Sequence, residues 1–255
     1  MIPKIIHYCW FGRAPKPLLA EKCLESWKKY CPDYEIIEWN EDNFDISSNR
    51  YVSEAYQSKK WAFVTDYVRL WVLFNNGGIY MDTDVEVLKS LDPYLKHQAF
   101  SGFENATQIP TGIMACEKGF NLLKEQLEYY DSARFILPDG SLNLTTNVVT
   151  ITNQMKKHGF KPNNQYQVLD GYAFYPNNIF CPYLERLGDS SFMKDTVTIH
   201  HFAGSWKSQA AIKRENSWWW KMFIVPISKM SNLIERLGGK PYKKAKEILW
   251  TKKLK

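Results

Sequence analysis

Several features are missing from this 255-residue chain, and each absence narrows the class of protein. No uncharged apolar run approaches the roughly 20 residues that span a bilayer. The opening MIPKIIHYCWFG lacks a charged segment followed by a long apolar one, so no signal peptide is expected. The five cysteines, Cys9, Cys23, Cys31, Cys116 and Cys181, are odd in number and loosely spaced, with no CxxC. Free thiols in a reducing cytoplasm are the expectation. Repeats, low-complexity tracts and a Gly-rich phosphate loop are absent, which argues against a solenoid, a disordered tail and a phosphotransferase built on such a loop.

Excess charge is missing from most of the chain. The formal net charge is +6. Residues 238–255 account for all of it, with Lys240, Lys243, Lys244, Lys246, Lys252, Lys253 and Lys255 against one acid, Glu247. A nucleic-acid enzyme would carry basic surface across its body. An excess at one end suits an anionic membrane surface instead, so the expected location is cytoplasmic and peripheral on the inner face of the cell membrane. The stretch SWWWKMFIVPISKMSNLIERL, residues 217–237, has aromatic and apolar residues near helical spacing and reads as a helix that lies on a membrane or packs on the domain.

Hydrophobic residues make up 45% and aromatic residues 15%, enough for one sizeable core. Ile2–Trp10, Pro17–Tyr30 and Tyr34–Trp39 read as strand, helix and strand, the opening of an α/β sheet. Trp61, Val64, Val68, Trp71 and Val72 recur at helical spacing and predict a helix over Lys60–Asn76. Asn75-Asn76-Gly77-Gly78 stops it. Ile79–Met81, Val85–Leu88, Ala99–Phe103, Thr111–Cys116 and Thr196–His201 read as strands, and Gly119–Tyr130 and Leu144–Lys157 as helices. The expected organisation is one α/β domain over 1–206 and a helical, basic C-terminal extension over 207–255.

The chemistry concentrates where the central helix hands over to its strand. In GGIYMDTDVEV, residues 77–87, Asp82 and Asp84 follow a short apolar strand. Two carboxylates at such a tip can hold Mg²⁺ or Mn²⁺ against a diphosphate. Asp66 and Arg69, in WAFVTDYVRLW, are neighbours on one helix face; they form an internal ion pair or bind hydroxyls of a sugar. In IHHFAGSWK, residues 199–207, His200 or His201 can complete a metal shell. Ser205 and Trp206 offer donors to phosphate oxygens. Trp10, at the end of the first strand, stacks on a nucleobase or packs in the core.

The segments IPKIIHYCWFG, AFVTDYVRL, GGIYMDTDV and IHHFAGSW occur in that order over residues 1–206. Together they resemble glycosyltransferase family 32, the DXD-motif sugar transferases of capsule and cell-surface polysaccharide synthesis. The clostridial glucosylating toxins share parts of the pattern. The resemblance implies a GT-A type, Rossmann-like mixed sheet flanked by helices, a divalent metal, usually Mn²⁺, and retention of anomeric configuration. It implies a nucleotide-sugar donor, with UDP-sugars first and GDP-mannose within the family's range, and a saccharide or lipid-linked glycan acceptor. Carried onto matching positions, Trp10 would stack on the base, and Asp66 and Arg69 would hold the donor sugar. Asp82 would approach the ribose and a metal-bound water. Asp84 would ligate the metal with His200 or His201, and Ser205 and Trp206 would contact the diphosphate. Thr111, Thr146 and Asn147 are candidates for the acceptor side. An inverting reaction would need a carboxylate base, for which Glu104 and Asp139 are candidates. A retaining front-face reaction needs none and is the expectation, with a non-catalytic carbohydrate- or nucleotide-binding protein as the rival.

Overall fold

Short β-rich runs buried on both faces build the centre of the protein. The structure is a computed structural model and describes residues 1–183 and 187–204. The elements in chain order are β1 (Ile5–Cys9), α1 (Leu18–Tyr30), β2 (Glu35–Trp39), α2 (Arg50–Gln57), α3 (Trp61–Asn76), β3 (Gly78–Met81) and β4 (Val85–Val87). They continue with β5 (Ala99–Gly102), β6 (Ile113–Cys116), α4 (Asn121–Ser132), α5 (Asn147–Lys157), β7 (Gln167–Leu169) and β8 (Tyr172–Tyr175). Last come α6 (Asn177–Phe180), α7 (Ser190–Met193) and β9 (Thr198–His200). Ser205, Trp206 and the expected extension over 207–255 lie outside the described residues. None of the described helices is long and apolar enough to cross a membrane.

Seven strands form one sheet in the order β2-β1-β3-β6-β5-β8-β7. The β1–β2, β1–β3 and β5–β8 pairs are parallel, whereas β6 runs antiparallel to both β3 and β5, and β7 is antiparallel to β8. This is the mixed α/β sheet flanked by helices that the strand–helix–strand opening implied. Both faces are covered, so side chains of successive residues enter different cores. On β3, Tyr80 belongs to the core under α3, while Ile79 and Met81 belong to the core under α1. The same alternation holds on β6, where Met114 and Cys116 face one core and Ile113 and Ala115 the other. All five cysteines are buried free thiols.

The helix stop is built as the sequence suggested. Gly77 has φ 71° and Gly78 φ 100°, a region that costs side-chain-bearing residues energy. A Cβ on Gly77 would also lie 2.7 Å from the Lys118 N, and one on Gly78 2.7 Å from the Ile5 O. This tight passage lets β3 enter the sheet beside β1 directly after α3. A departure comes at β4. It leaves the main sheet and pairs antiparallel with β9, Val85 opposite His200. α1 holds it there, since Trp27 Nε1 donates to the Val85 O at 2.7 Å and Val87 N donates to Ser26 Oγ at 2.9 Å.

A second tether lies on α2. Buried Glu54 accepts from the N–H groups of Phe135 and Ile136, both at 3.0 Å, and meets Arg134 Nη2 at 2.6 Å. Burial pushes its pKa up, but Arg134 and the two backbone donors outweigh that and bring it from its ordinary 4.5 to about 2. A carboxylate depressed on folding stabilises the native state above its unfolded pKa and loses that contribution as pH falls through the folded one. Glu54→Gln is therefore expected to cost about 2 kcal/mol in urea unfolding at neutral pH. The gap from wild type should close between pH 4.5 and pH 2; a gap constant over that range would contradict the assignment.

Candidate active site

The site gathers at the C-terminal end of β3, because three separate constraints fix the turn Asp82-Thr83-Asp84. Asp82 N donates to the Gly112 O at 2.8 Å, which extends the pairing with the β5–β6 hairpin. Val85 N donates to the Asp82 O at 3.0 Å and closes the turn. The β4–β9 pairing then brings His200 back over the two aspartates.

One donor atom from each of Asp82, Asp84 and His200 lies within 4.8 Å of the others. His200 Nε2 is 3.2 Å from Asp84 Oδ1. Asp84 Oδ2 accepts from Ala203 N at 2.8 Å, and Phe202 stacks on the imidazole with ring centroids 4.1 Å apart. Burial opposes charge on His200, yet Asp84 outweighs it and lifts the ring's pKa well above 6.5. Burial likewise raises Asp84, but the same pairing holds it below 3.8. His200 Nδ1 is buried without a hydrogen-bond partner. Two carboxylates and an imidazole suit Mn²⁺ or Mg²⁺, and the His200 ring also meets the buried Cys181 thiol. The three residues thus fit a divalent cation. Gly112 makes room for them: a Cβ there would sit 2.8 Å from His200 Nδ1 and 3.3 Å from Asp82 Oδ2.

Behind this cluster lies Arg69, whose side chain is 5% exposed. Its Nη1 donates to Asp82 Oδ1 at 3.1 Å and to the Thr111 O at 2.6 Å. Its Nε donates to the Thr65 O at 3.1 Å. Nη2 donates to Thr65 Oγ1 at 3.3 Å and lies 3.2 Å from Asp66 Oδ1. The guanidinium also stands over the Tyr80 ring at 4.7 Å, and Tyr80 Oη donates to Asp82 Oδ1 at 2.8 Å. Burial opposes this charge, but Asp82 and Asp66 more than offset the penalty. Asp66 is buried and its pKa is pushed up to about 6 by desolvation, against the pull of Arg69. Asn147, the first residue of α5, clamps it: its N donates to Asp66 Oδ2 at 3.3 Å and its Nδ2 to the Asp66 O at 2.7 Å. Asn147 Oδ1 in turn accepts from the Tyr130 hydroxyl.

The structure thus brings Asp66, Arg69, Asp82, Asp84 and His200 into one connected group. His201 is not part of the cation cluster. It faces the opposite way along β9, and its Nε2 meets Glu86 Oε2 at 2.9 Å. The sequence left the two histidines open because a one-residue shift reverses the face of a strand. Trp10 is half-buried at the end of β1, its Nε1 donating to the Ala14 O at 2.6 Å and Lys16 Nζ 5.9 Å from its ring. Asp139, a candidate base, is instead an exposed turn residue that accepts from Ser141 N and Oγ at 3.0 and 2.6 Å. Glu104 is half-buried beside the cluster. The sequence reading missed Thr65, Tyr80 and Gly112. Thr65 stands four residues before Arg69 on α3, and Tyr80 two before Asp82 along the strand, so both shared-face relations were available from spacing. Gly112 carried no local signal.

Residues 17–101 match the family described as the glycosyltransferase sugar-binding region containing a DXD motif. The chain is 31% identical over 130 residues to inositol phosphoceramide mannosyltransferase 3 of Schizosaccharomyces pombe, covering 48% of this chain. That alignment spans 35% of the relative, about a third of its length. It is 25% identical over 199 residues to an uncharacterized glycosyltransferase of Acanthamoeba polyphaga mimivirus, covering 72% of this chain and 78% of that one. Among solved structures, a glycosyltransferase involved in glycosylation of the major capsid of PBCV-1 superposes with a TM-score of 0.47 at 12% identity. The superposition covers 82% of this chain and 97% of that one.

Gly112→Ala tests the cation cluster without altering a ligand. The added methyl must displace the His200 ring, so Mn²⁺ affinity measured by calorimetry is expected to fall about 10–100-fold, with the far-ultraviolet circular dichroism unchanged. Wild-type affinity in the variant would show that the ring's place is immaterial.

Proposed function

We propose that this chain, whose residues 17–101 belong to the family of DXD-containing glycosyltransferase sugar-binding regions, is a metal-dependent glycosyltransferase on a GT-A type sheet. It moves a hexose or N-acetylhexosamine from a nucleoside diphosphate sugar to a saccharide or lipid-linked acceptor. The observation that carries the reading is the Asp82–Asp84–His200 cluster, set at the C-terminal end of a central strand and backed by a buried arginine. The S. pombe relative is a mannosyltransferase, which supports mannose beside the UDP-linked hexoses as the transferred sugar. The lysine-rich stretch 238–255 supports an anionic membrane surface as the place of work.

Asp82, Asp84 and His200 would hold Mn²⁺ or Mg²⁺. A bound cation there supplies neutralisation of the diphosphate as it leaves. Arg69 keeps Asp82 in one orientation through Nη1, and Tyr80 does the same through its hydroxyl. Such fixed donors and charges cost no reorganisation when the bond breaks. Asp66, buried and turned toward Arg69, retains acceptor capacity for sugar hydroxyls. Asp139 lies on a surface turn, which leaves Glu104 as the remaining candidate base; retention is the reading carried over from the family resemblance. In the retaining reaction the bond from the anomeric carbon to phosphate breaks, the bond to the acceptor oxygen forms on the same face, and the acceptor's proton passes to the departing diphosphate.

A thermal-shift panel of UDP- and GDP-sugars with and without Mn²⁺ is expected to show stabilisation by one nucleotide class only when the cation is present. Asp84→Asn is expected to lower nucleotide release from that donor about 100-fold or more, by phosphate-coupled assay. Near-wild-type turnover would remove the cation role, and a panel without any shift would favour a carbohydrate-binding protein.

A further inference from the structure

Carboxylates around the site come with partners, save one. Asp66 faces Arg69, Asp82 accepts from Arg69 and Tyr80, and Asp84 meets His200 and Ala203 N. The Glu104 carboxylate makes no hydrogen bond or ion pair among the described residues. It is half-buried, and its backbone is fixed, since Glu104 N donates to the Gln108 O at 2.8 Å and closes a turn in the hairpin that joins β5 to β6. It lies within electrostatic reach of His200 and Asp82, and burial raises its pKa above 4.5. The buried thiol of Cys181 feels both Glu104 and His200.

A half-buried carboxylate without a donor has lost part of its hydration and is open to a ligand. Two complements would relieve it, a cation or a hydroxyl. A cation has a fitting place elsewhere, because the group that could hold one is Asp82, Asp84 and His200 and does not include Glu104. Position separates it from the donor side as well. Asp66, Arg69 and Asp82 reach the site from α3 and β3, whereas Glu104 follows β5, on the far side of β6. A transfer needs two substrates held against each other between such walls.

We propose that Glu104 forms the acceptor wall and takes a hydrogen bond from a hydroxyl of the acceptor. The part of the acceptor seated there is a neutral polyol, because a phosphate would meet the unpaired Glu104 carboxylate and be repelled. This inference rests on the glycosyltransferase reading.

The test compares full-length wild type, Glu104→Gln and Glu104→Ala, with GDP-mannose and UDP-glucose as donors. Nucleotide release without acceptor reads hydrolysis. Mass spectrometry of methyl α-mannoside, myo-inositol and glucose 6-phosphate, each supplied as acceptor, reads transfer. Glu104→Gln is expected to keep hydrolysis within about threefold and to lower kcat/KM for the neutral probes about 10–100-fold, chiefly through KM. Glucose 6-phosphate should gain relative to the neutral probes, and Mn²⁺ binding should stay at the wild-type value. Parallel loss of hydrolysis and transfer, loss of Mn²⁺ binding, unchanged transfer, or a wild type that hydrolyses donor yet glycosylates no neutral probe would each overturn the proposal. A wild type that releases nucleotide from neither donor would instead overturn the glycosyltransferase reading beneath it.

Discussion

A single guanidinium sets the geometry of this protein's site. Arg69 is charged and nearly inaccessible, and moving such an ion from water costs several kcal/mol unless its environment replaces the lost hydration. The chain replaces it with Asp66 and Asp82, the Thr111 carbonyl, Thr65 and the face of Tyr80. These partners come from α3, β3 and the β5–β6 hairpin. Satisfying one charge therefore fixes three elements relative to one another. The helix cannot slide along the sheet without leaving either the arginine or an aspartate unpaired in the interior.

The cation cluster rests on that lock and adds one long-range constraint. Asp82 is held from behind by Arg69 and from the side by Gly112. Asp84 has no such support from the main sheet. Its position depends on β4, which α1 anchors through Trp27 and Ser26, and on β9, which returns His200 and the Ala203 N–H to it. The two acids of the motif, adjacent but for one residue, are thus positioned by different halves of the fold. The two-stranded sheet beside the main one therefore does two things: it buries Val85 and Val87, and it carries Asp84 and His200 to one place.

Much of this was legible in the residues. The strands β1, β2 and β3, the helix α3 and its double-glycine stop followed from periodicity and from the rarity of positive φ. The pairing of Asp66 with Arg69 followed from helical spacing. What escaped had physical reasons. α2 reads RYVSEAYQ, with Asn49 as its N-cap, and its apolar residues are too few to stand out over eight positions. β7 (QVL) and β8 (YAFY) were also not read as strands. The choice between His200 and His201 depended on the register of β9 against β4, a contact between segments far apart in sequence. Gly112 matters for what it lacks, and only the folded neighbourhood shows the space it leaves.

The arginine also revises how the motif AFVTDYVRL works. Spacing allowed Asp66 and Arg69 to act together on a donor sugar. In the folded chain the Nε, Nη1 and Nη2 donors of Arg69 are all committed to protein groups. A sugar would have to break one of those contacts to gain a hydrogen bond, exchanging one buried interaction for another of similar strength. Asp66 is in the opposite condition: its two oxygens receive Arg69 and the Asn147 N–H at 3.2 and 3.3 Å, and lone pairs remain. The division of labour that follows is asymmetric. The arginine serves the site by holding Asp82 and neutralising Asp66, and the acid beside it is the member of the pair with capacity left for a ligand.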